Sequence, residues 1–168
     1  MTKIKIYGDP ILEKKCEDVI KVDKTIQNEL DYMATVMFRN NGMGIAANQV
    51  GLDRNMFVMY NFSKKKINAF INPKLLYASE WKTEQLEGCL SMPDFAVSIV
   101  RSTDITISFT DYRGMNRTVR FSNLAARCIL HEMEHLSGKY MLDNLDEQTR
   151  EKIIREKPWT INQLVIQK

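Results

Sequence analysis

The sequence predicts an α+β fold in which small antiparallel sheets surround a central helix carrying an H-E-x-x-H motif. Three observations lead there. "MFVMY" (56–60) with "INAFINP" (67–73), and "ITISF" (105–109) with "RTVRF" (117–121), are strand-like runs separated by polar loops, and each pair reads as a hairpin. Ile26, Leu30, Met33 and Met37 recur at helical spacing. Leu124, Ala125, Cys128, Ile129 and Leu136 give a second helix that is apolar enough to be buried, and "HEMEH" (131–135) lies on it.

In chain order, "YGDPILEKK" opens on a turn at Gly8-Asp9-Pro10, with Pro10 suited to a helix start. The first helix runs to Arg39 behind Asp23, an N-cap residue. "NNGMGIAANQVGL" breaks the helical period with two glycines, Gly42 and Gly44, and reads as a loop feeding a short strand. "SKKK" (63–66) is a polar hairpin loop, and "TDYRGMN" joins the second hairpin. Ser122 or Asn123 caps the motif helix, which runs to about Ser137 and stops at Gly138. A charged helix covers Asp146 to Glu156, Pro158 ends it, and "INQLVIQK" is a tail. The expectation is one catalytic domain over 1–168, with 146–168 as C-terminal helix and tail.

Composition narrows the function classes. The chain has 168 residues, 44% apolar and 27% charged, the balance of an ordinary globular protein. Its net charge of +3 is spread along the chain, and "SKKK" has no interleaved aromatics, so nucleic acid is not expected as the primary partner. No apolar run reaches the length of a membrane span. The N-terminus has no apolar segment of the kind a secretory signal carries, and is too acidic for a typical transit peptide. Three cysteines, Cys16, Cys89 and Cys128, cannot all pair within the chain, which favours a reducing compartment.

His131 and His135 are the only histidines. Four apart on a helix, they share a face and can reach one metal ion. Burying both imidazoles beside Glu132 and Glu134 without partners would cost several kcal/mol, which a bound metal and its surrounding hydrogen bonds would offset. A catalytic site of this type takes a third protein ligand. Where one protease class has a third histidine stands Met141, a poor ligand for such an ion. Glu147 or Glu151 could supply a carboxylate from the next helix. Cys128 shares the face but lies about 10 Å along the axis from His135, too far to converge with both histidines. Cys89, in "EQLEGCLSMPDF", follows a glycine and precedes a turn at "SMPD". Spacing leaves these candidates open.

Three separated motifs, "GMGIAANQ" (42–49), "EGCLS" (87–91) and "HEMEH" (131–135), together with the opening "YGDPIL", resemble the peptide deformylases in order and spacing, over roughly residues 4 to 145. The resemblance implies that family's α+β fold and removal of the N-formyl group from the initiator methionine of new polypeptides. It implies Cys89, His131 and His135 as metal ligands and Glu132 as acid and base. Gln49 and the backbone N–H of Leu90 match oxyanion donors. Gly44, with the backbone around Met43 and Gly88, matches positions that hold the substrate main chain. Met43, Leu124, Arg127 and Cys128 match the surroundings of the methionine pocket. It further implies one divalent ion, ferrous iron in the cell, with zinc, nickel or cobalt able to replace it.

The chain departs from the family pattern at Leu130, where Gln is usual, at Glu134, where Asp is usual, and in having no Arg between "CLS" and Arg101. Glu134 is expected to point away from the metal and pair with a cation, Arg101 being the leading candidate. The expected partners are N-formylmethionyl nascent peptides, met at the ribosome, by a monomer in the cytoplasm of bacterial type, an organelle being the alternative compartment. Two further readings are an endopeptidase using Glu147 or Glu151, and a deformylase-like protein of reduced turnover.

Overall fold

The structure is a computed structural model and describes residues 4–156. Pro158 and the "INQLVIQK" tail of the sequence reading lie outside them. Seven strands and three α-helices follow in the order α1 (Lys24–Arg39), β1 (Gly44–Ala46), β2 (Met56–Asn61), β3 (Lys66–Ala78), β4 (Lys82–Cys89), β5 (Met92–Ser102), β6 (Asp104–Thr110), β7 (Asn116–Ser122), α2 (Asn123–Leu136) and α3 (Glu147–Glu156). β1-β2-β3-β6-β7 form one antiparallel sheet and β4-β5 a second. No described helix is long and apolar enough to cross a membrane.

The unbroken apolar run of β2 has a simple cause, because both of its faces are covered. Met56 and Val58 point to α1, where they meet Leu30, Met33 and Met37, while Phe57 and Met59 point to α2, where they meet Ala126 and Ile129. The five-stranded sheet is therefore a layer between two helices. Asp23 caps α1 by accepting the Ile26 N–H at 3.0 Å. Ser122 occupies the α2 N-cap in extended conformation, without a side-chain cap bond. At the other end Gly138 takes φ +73°, and a Cβ there would stand 2.8 Å from the Glu13 carbonyl, so glycine both ends the helix and admits the N-terminal segment.

The hairpins at 56–73 and 105–121 form as expected, with β3 running on to Ala78. The short strand lies inside the glycine-containing loop, followed by a 3-10 turn at Ala47–Val50. β4 and β5 were not expected as strands. Their inward positions alternate Thr83, Glu87 and Arg101 with apolar Ile99, so the polar-out, apolar-in pattern that marks a half-buried strand is absent. The turn of this hairpin falls at Leu90-Ser91, and Pro93 already belongs to β5, which corrects the turn expected at "SMPD".

Candidate active site

Cys128, His131, Glu132 and His135 are all buried on α2, spaced so that they follow one side of the helix. The β4-β5 hairpin lies across that side. Cys89 closes β4, and its Sγ stands 3.1 Å from His135 Nε2. One ligand atom each from Cys89, His131 and His135 lie within 4.8 Å of one another, and no other such trio of His, Cys or acidic groups occurs among the described residues. Glu147 and Glu151 are exposed on α3, outside this group, and Met141 is packed into an apolar cluster with Leu12 and Ile99.

The three residues fit a divalent ion. Donors at bond lengths of about 2.0–2.3 Å from one centre stand about 3–4 Å apart, and a thiolate with two imidazoles is a donor set suited to borderline ions. His131 engages Glu87 Oε2 through Nδ1 at 3.0 Å, which leaves Nε2 for the cluster. Glu132, outside the trio, has a buried Oε2 without a hydrogen-bond partner among the described residues. Burial pushes the Cys89 thiol up, but the imidazoles of His135 and His131 outweigh burial and hold it well below the usual thiol range. Glu132 moves the other way. Its burial raises the carboxyl to about 7, against the opposing pull of His131 and His135.

Glu87 is the residue that sequence reasoning missed. Its Oε1 accepts from Arg101 Nε at 2.7 Å and Arg127 Nη1 at 2.6 Å, and its Oε2 meets Arg101 Nη2 at 2.9 Å as well as His131. Burial alone would raise this carboxyl, yet the bonds to His131 and Arg101 bring it down to about 2. Arg101 uses its other edge on Glu134, at 2.7 and 2.8 Å, so Glu134 does face Arg101. A signal was present: Glu87 lies two residues before Cys89, on the same strand, and buried carboxylates need partners.

Gln49 is buried, with its direction set from both ends. Its Oε1 accepts the Ala46 N–H at 2.9 Å, and its Nε2 donates to Ser91 Oγ at 3.1 Å and stands 3.7 Å from Cys89 Sγ. Its amide N–H groups are thereby turned toward the cluster. Asn48, also unforeseen, donates to the His135 carbonyl at 2.6 Å and serves the open end of α2. At Gly44 a Cβ would stand 2.6 Å from Glu132 Oε1 and 2.8 Å from Cys128 Sγ, so this glycine makes room for the carboxylate. A Cβ at exposed Gly88 would meet nothing nearer than the Phe95 carbonyl at 3.6 Å.

Gly44, Gln49, Cys89, His131 and Glu132 border a cavity of about 810 Å³, which Met43, Leu90 and Leu124 also line. Leu124 is half exposed at its rim. Cys128 is buried, and burial together with Glu132 raises its thiol well above the usual range. Arg127 also lines the cavity, and its guanidinium donates to Glu87, the Ile99 carbonyl and the Thr83 carbonyl.

The model of the polypeptide deformylase family matches residues 1–151. The peptide deformylase of Pseudothermotoga lettingae is 36% identical over 148 residues, covering 88% of this chain and 85% of that protein. The peptide deformylase of Finegoldia magna is 33% identical over 160 residues, covering 94% of this chain and 99% of its own. Among solved structures, the peptide deformylase of Ehrlichia chaffeensis superposes with a TM-score of 0.85 at 33% identity, covering 93% of this chain and 94% of that one. A second structure of that enzyme, in complex with actinonin, gives 0.85 at 32% identity, over 93% of this chain and 97% of the other.

Proposed function

This chain belongs to the polypeptide deformylase family, and we propose that Cys89, His131 and His135 hold its divalent ion while Glu132, Gln49 and Leu90 carry out the hydrolysis. The activity is removal of the N-formyl group from the methionine that begins newly made polypeptides. The observation that carries the residue assignment is the trio of donors from β4 and α2, with a buried carboxylate beside it.

When bound, the ion supplies Lewis acidity that brings the pKa of an attacking water toward neutrality. Glu132 takes the proton of that water and returns it to the departing amine, its buried carboxylate lying next to the donor trio with one oxygen without a hydrogen-bond partner among the described residues. As the formyl carbon becomes tetrahedral, its oxygen gains charge. The Gln49 amide, held by Ala46 and Ser91, and the Leu90 N–H donate to that oxygen, each such donor being worth about 10²–10³ in rate. Met43 and Leu124 offer apolar surface to the methionine side chain, with Arg127 and Cys128 lining the same cavity. Glu87 and Arg101 keep His131 and the β4-β5 hairpin in place rather than touching substrate.

A thiolate with two imidazoles accepts iron, zinc, nickel or cobalt alike, and ferrous iron in the cell is the choice that the family resemblance implies. The whole chain works as one catalytic domain, a monomer in the cytoplasm, on chains leaving the ribosome. An endopeptidase would need Glu147 or Glu151 as ligand, and both are exposed outside the donor trio. Mass spectrometry of products from formyl-Met-Ala-Ser tests the reaction. Loss of formate with every peptide bond intact is expected, and fragments cut at an internal bond would overturn it. Glu132→Ala tests the residue assignment. It should retain metal and fold and lose several orders of magnitude in turnover, so turnover within tenfold of the parent would remove Glu132 from the mechanism.

A further inference from the structure

The lysine loop, which deformylation does not use, forms one wall of a second cavity. β2 and β3 stay paired to Asn61↔Lys66, and β6 and β7 to Thr110↔Asn116, so both hairpins are zipped to their tips. Between the hairpins the pairing of β3 with β6 goes no further than Ile71↔Thr110. Beyond that point the tips part and leave a cleft of about 650 Å³. Lys64 and Lys66 border it from one hairpin, Arg113 and Arg117 from the other. All four are exposed.

Asp111 is the only carboxylate in the lining, and it is already engaged. Its Oδ1 accepts the N–H groups of Arg113 and Met115 at 2.9 and 3.0 Å, and its Oδ2 accepts from Arg117 at 2.8 Å. Lys64, Lys66 and Arg113 have no carboxylate partner among the described residues. The floor is aromatic. Phe109 and Phe121 are half-buried rings held against Phe70, with centroids 4.6 and 5.7 Å from it, while Tyr112 borders the cleft with its ring packed toward α1 and its hydroxyl donating to Asp31 at 3.1 Å.

A solvated charge run would spread its lysines outward over one loop. Here two cationic segments nearly fifty positions apart converge on one aromatic-floored cleft. Positive walls that follow a phosphate backbone, with ring faces for the bases, are the features by which proteins hold single-stranded nucleic acid. We propose that this cleft binds single-stranded RNA, its phosphates along Lys64, Lys66 and Arg113 and its bases against Phe109 and Phe121. The cleft shares no lining residue with the active site, so the two activities are separable and this one does not rest on the deformylase assignment.

The test is fluorescence anisotropy of the metal-loaded full chain with a labelled single-stranded oligoribonucleotide of about 12 nucleotides. With about three phosphates neutralised, affinity should fall about 20-fold between roughly 50 and 200 mM salt. Lys64→Glu combined with Arg113→Glu, exposed changes on opposite walls, should weaken binding at least about tenfold at low salt while deformylation of formyl-Met-Ala-Ser stays within about twofold. Lys82→Glu, outside the cleft, should leave RNA affinity within about twofold. Affinity that the double variant leaves unchanged, no measurable binding at low salt, or tighter binding of poly-glutamate than of RNA would each overturn the proposal.

Discussion

The two sheets grip α2 by different means. The five-stranded sheet presses Phe57, Phe70, Ile105 and Ile107 against Ala126 and Ile129, an apolar contact. The two-stranded sheet meets the same helix through charges: Arg127 reaches from α2 to Glu87 and the Thr83 carbonyl, and Arg101 reaches from β5 to Glu134. Apolar burial is non-directional and supplies most of the stability. A buried ion network adds little net stability but fixes direction, since each guanidinium edge accepts one arrangement of carboxylates. The first contact holds the helix, and the second sets the register that brings Cys89 to the two histidines.

That division can be broken most severely at the point where both regions meet. Cys89→Ala should lower bound metal from about one ion per chain to near zero, with loss of at least about 10³ in activity, read by elemental analysis and formate release. Cys128→Ala should keep the ion. If Cys128→Ala strips the metal and Cys89→Ala keeps it, the hairpin has no role in ligation. On the apolar side, Phe57 stacks on Phe70 with centroids 4.5 Å apart. Phe57→Ala should cost about 3–5 kcal/mol in urea unfolding. Because the hairpin's own contacts are untouched, the folded fraction should still bind one ion per chain.

Glu87→Gln sharpens the contrast from the charged side. It keeps the shape and removes the charge that orients His131, so metal affinity should fall about 10–100-fold, measured by chelator competition. It should also change the acid limb of stability. The Glu87 carboxyl sits at about 2 in the folded protein, below the ordinary value of 4.5. A depressed folded value means the ionised form stabilises the fold above the ordinary carboxyl range, and that contribution fades as pH falls through the interval toward 2. Metal-free parent should therefore lose stability between about pH 4.5 and 2 more steeply than metal-free Glu87→Gln. Equal acid limbs would mean that Glu87 gains nothing from its partners. The smallest effect belongs to an exposed pair on neither interface. Arg120→Ala, which removes the 2.9 Å contact to Asp104, should leave the midpoint of urea unfolding essentially where the parent has it.

Much of this molecule is legible locally. The period of Ile26, Leu30, Met33 and Met37 marks α1, and Asp23 marks its start. The two hairpins follow from their strand-like runs and the polar loops between them, and H-E-x-x-H puts two imidazoles on one side of α2 whatever else the chain does. Such features depend on contacts within a few residues, so a short window contains their cause.

Tertiary structure decided the rest. "EGCLS" shows no alternation that would announce a strand, because the inward side of β4-β5 is filled by Glu87 and Arg101, which become acceptable there only once Arg127, His131 and Glu134 are brought from α2. The need for glycine at position 44 comes from Glu132, far along the chain, lying where a Cβ would stand. "SKKK" reads as a solvated loop until the second hairpin sets Arg113 and Arg117 opposite it. In each case the partner is remote in sequence, and its position is fixed by the packing of whole elements against the core, which no local pattern of residues encodes.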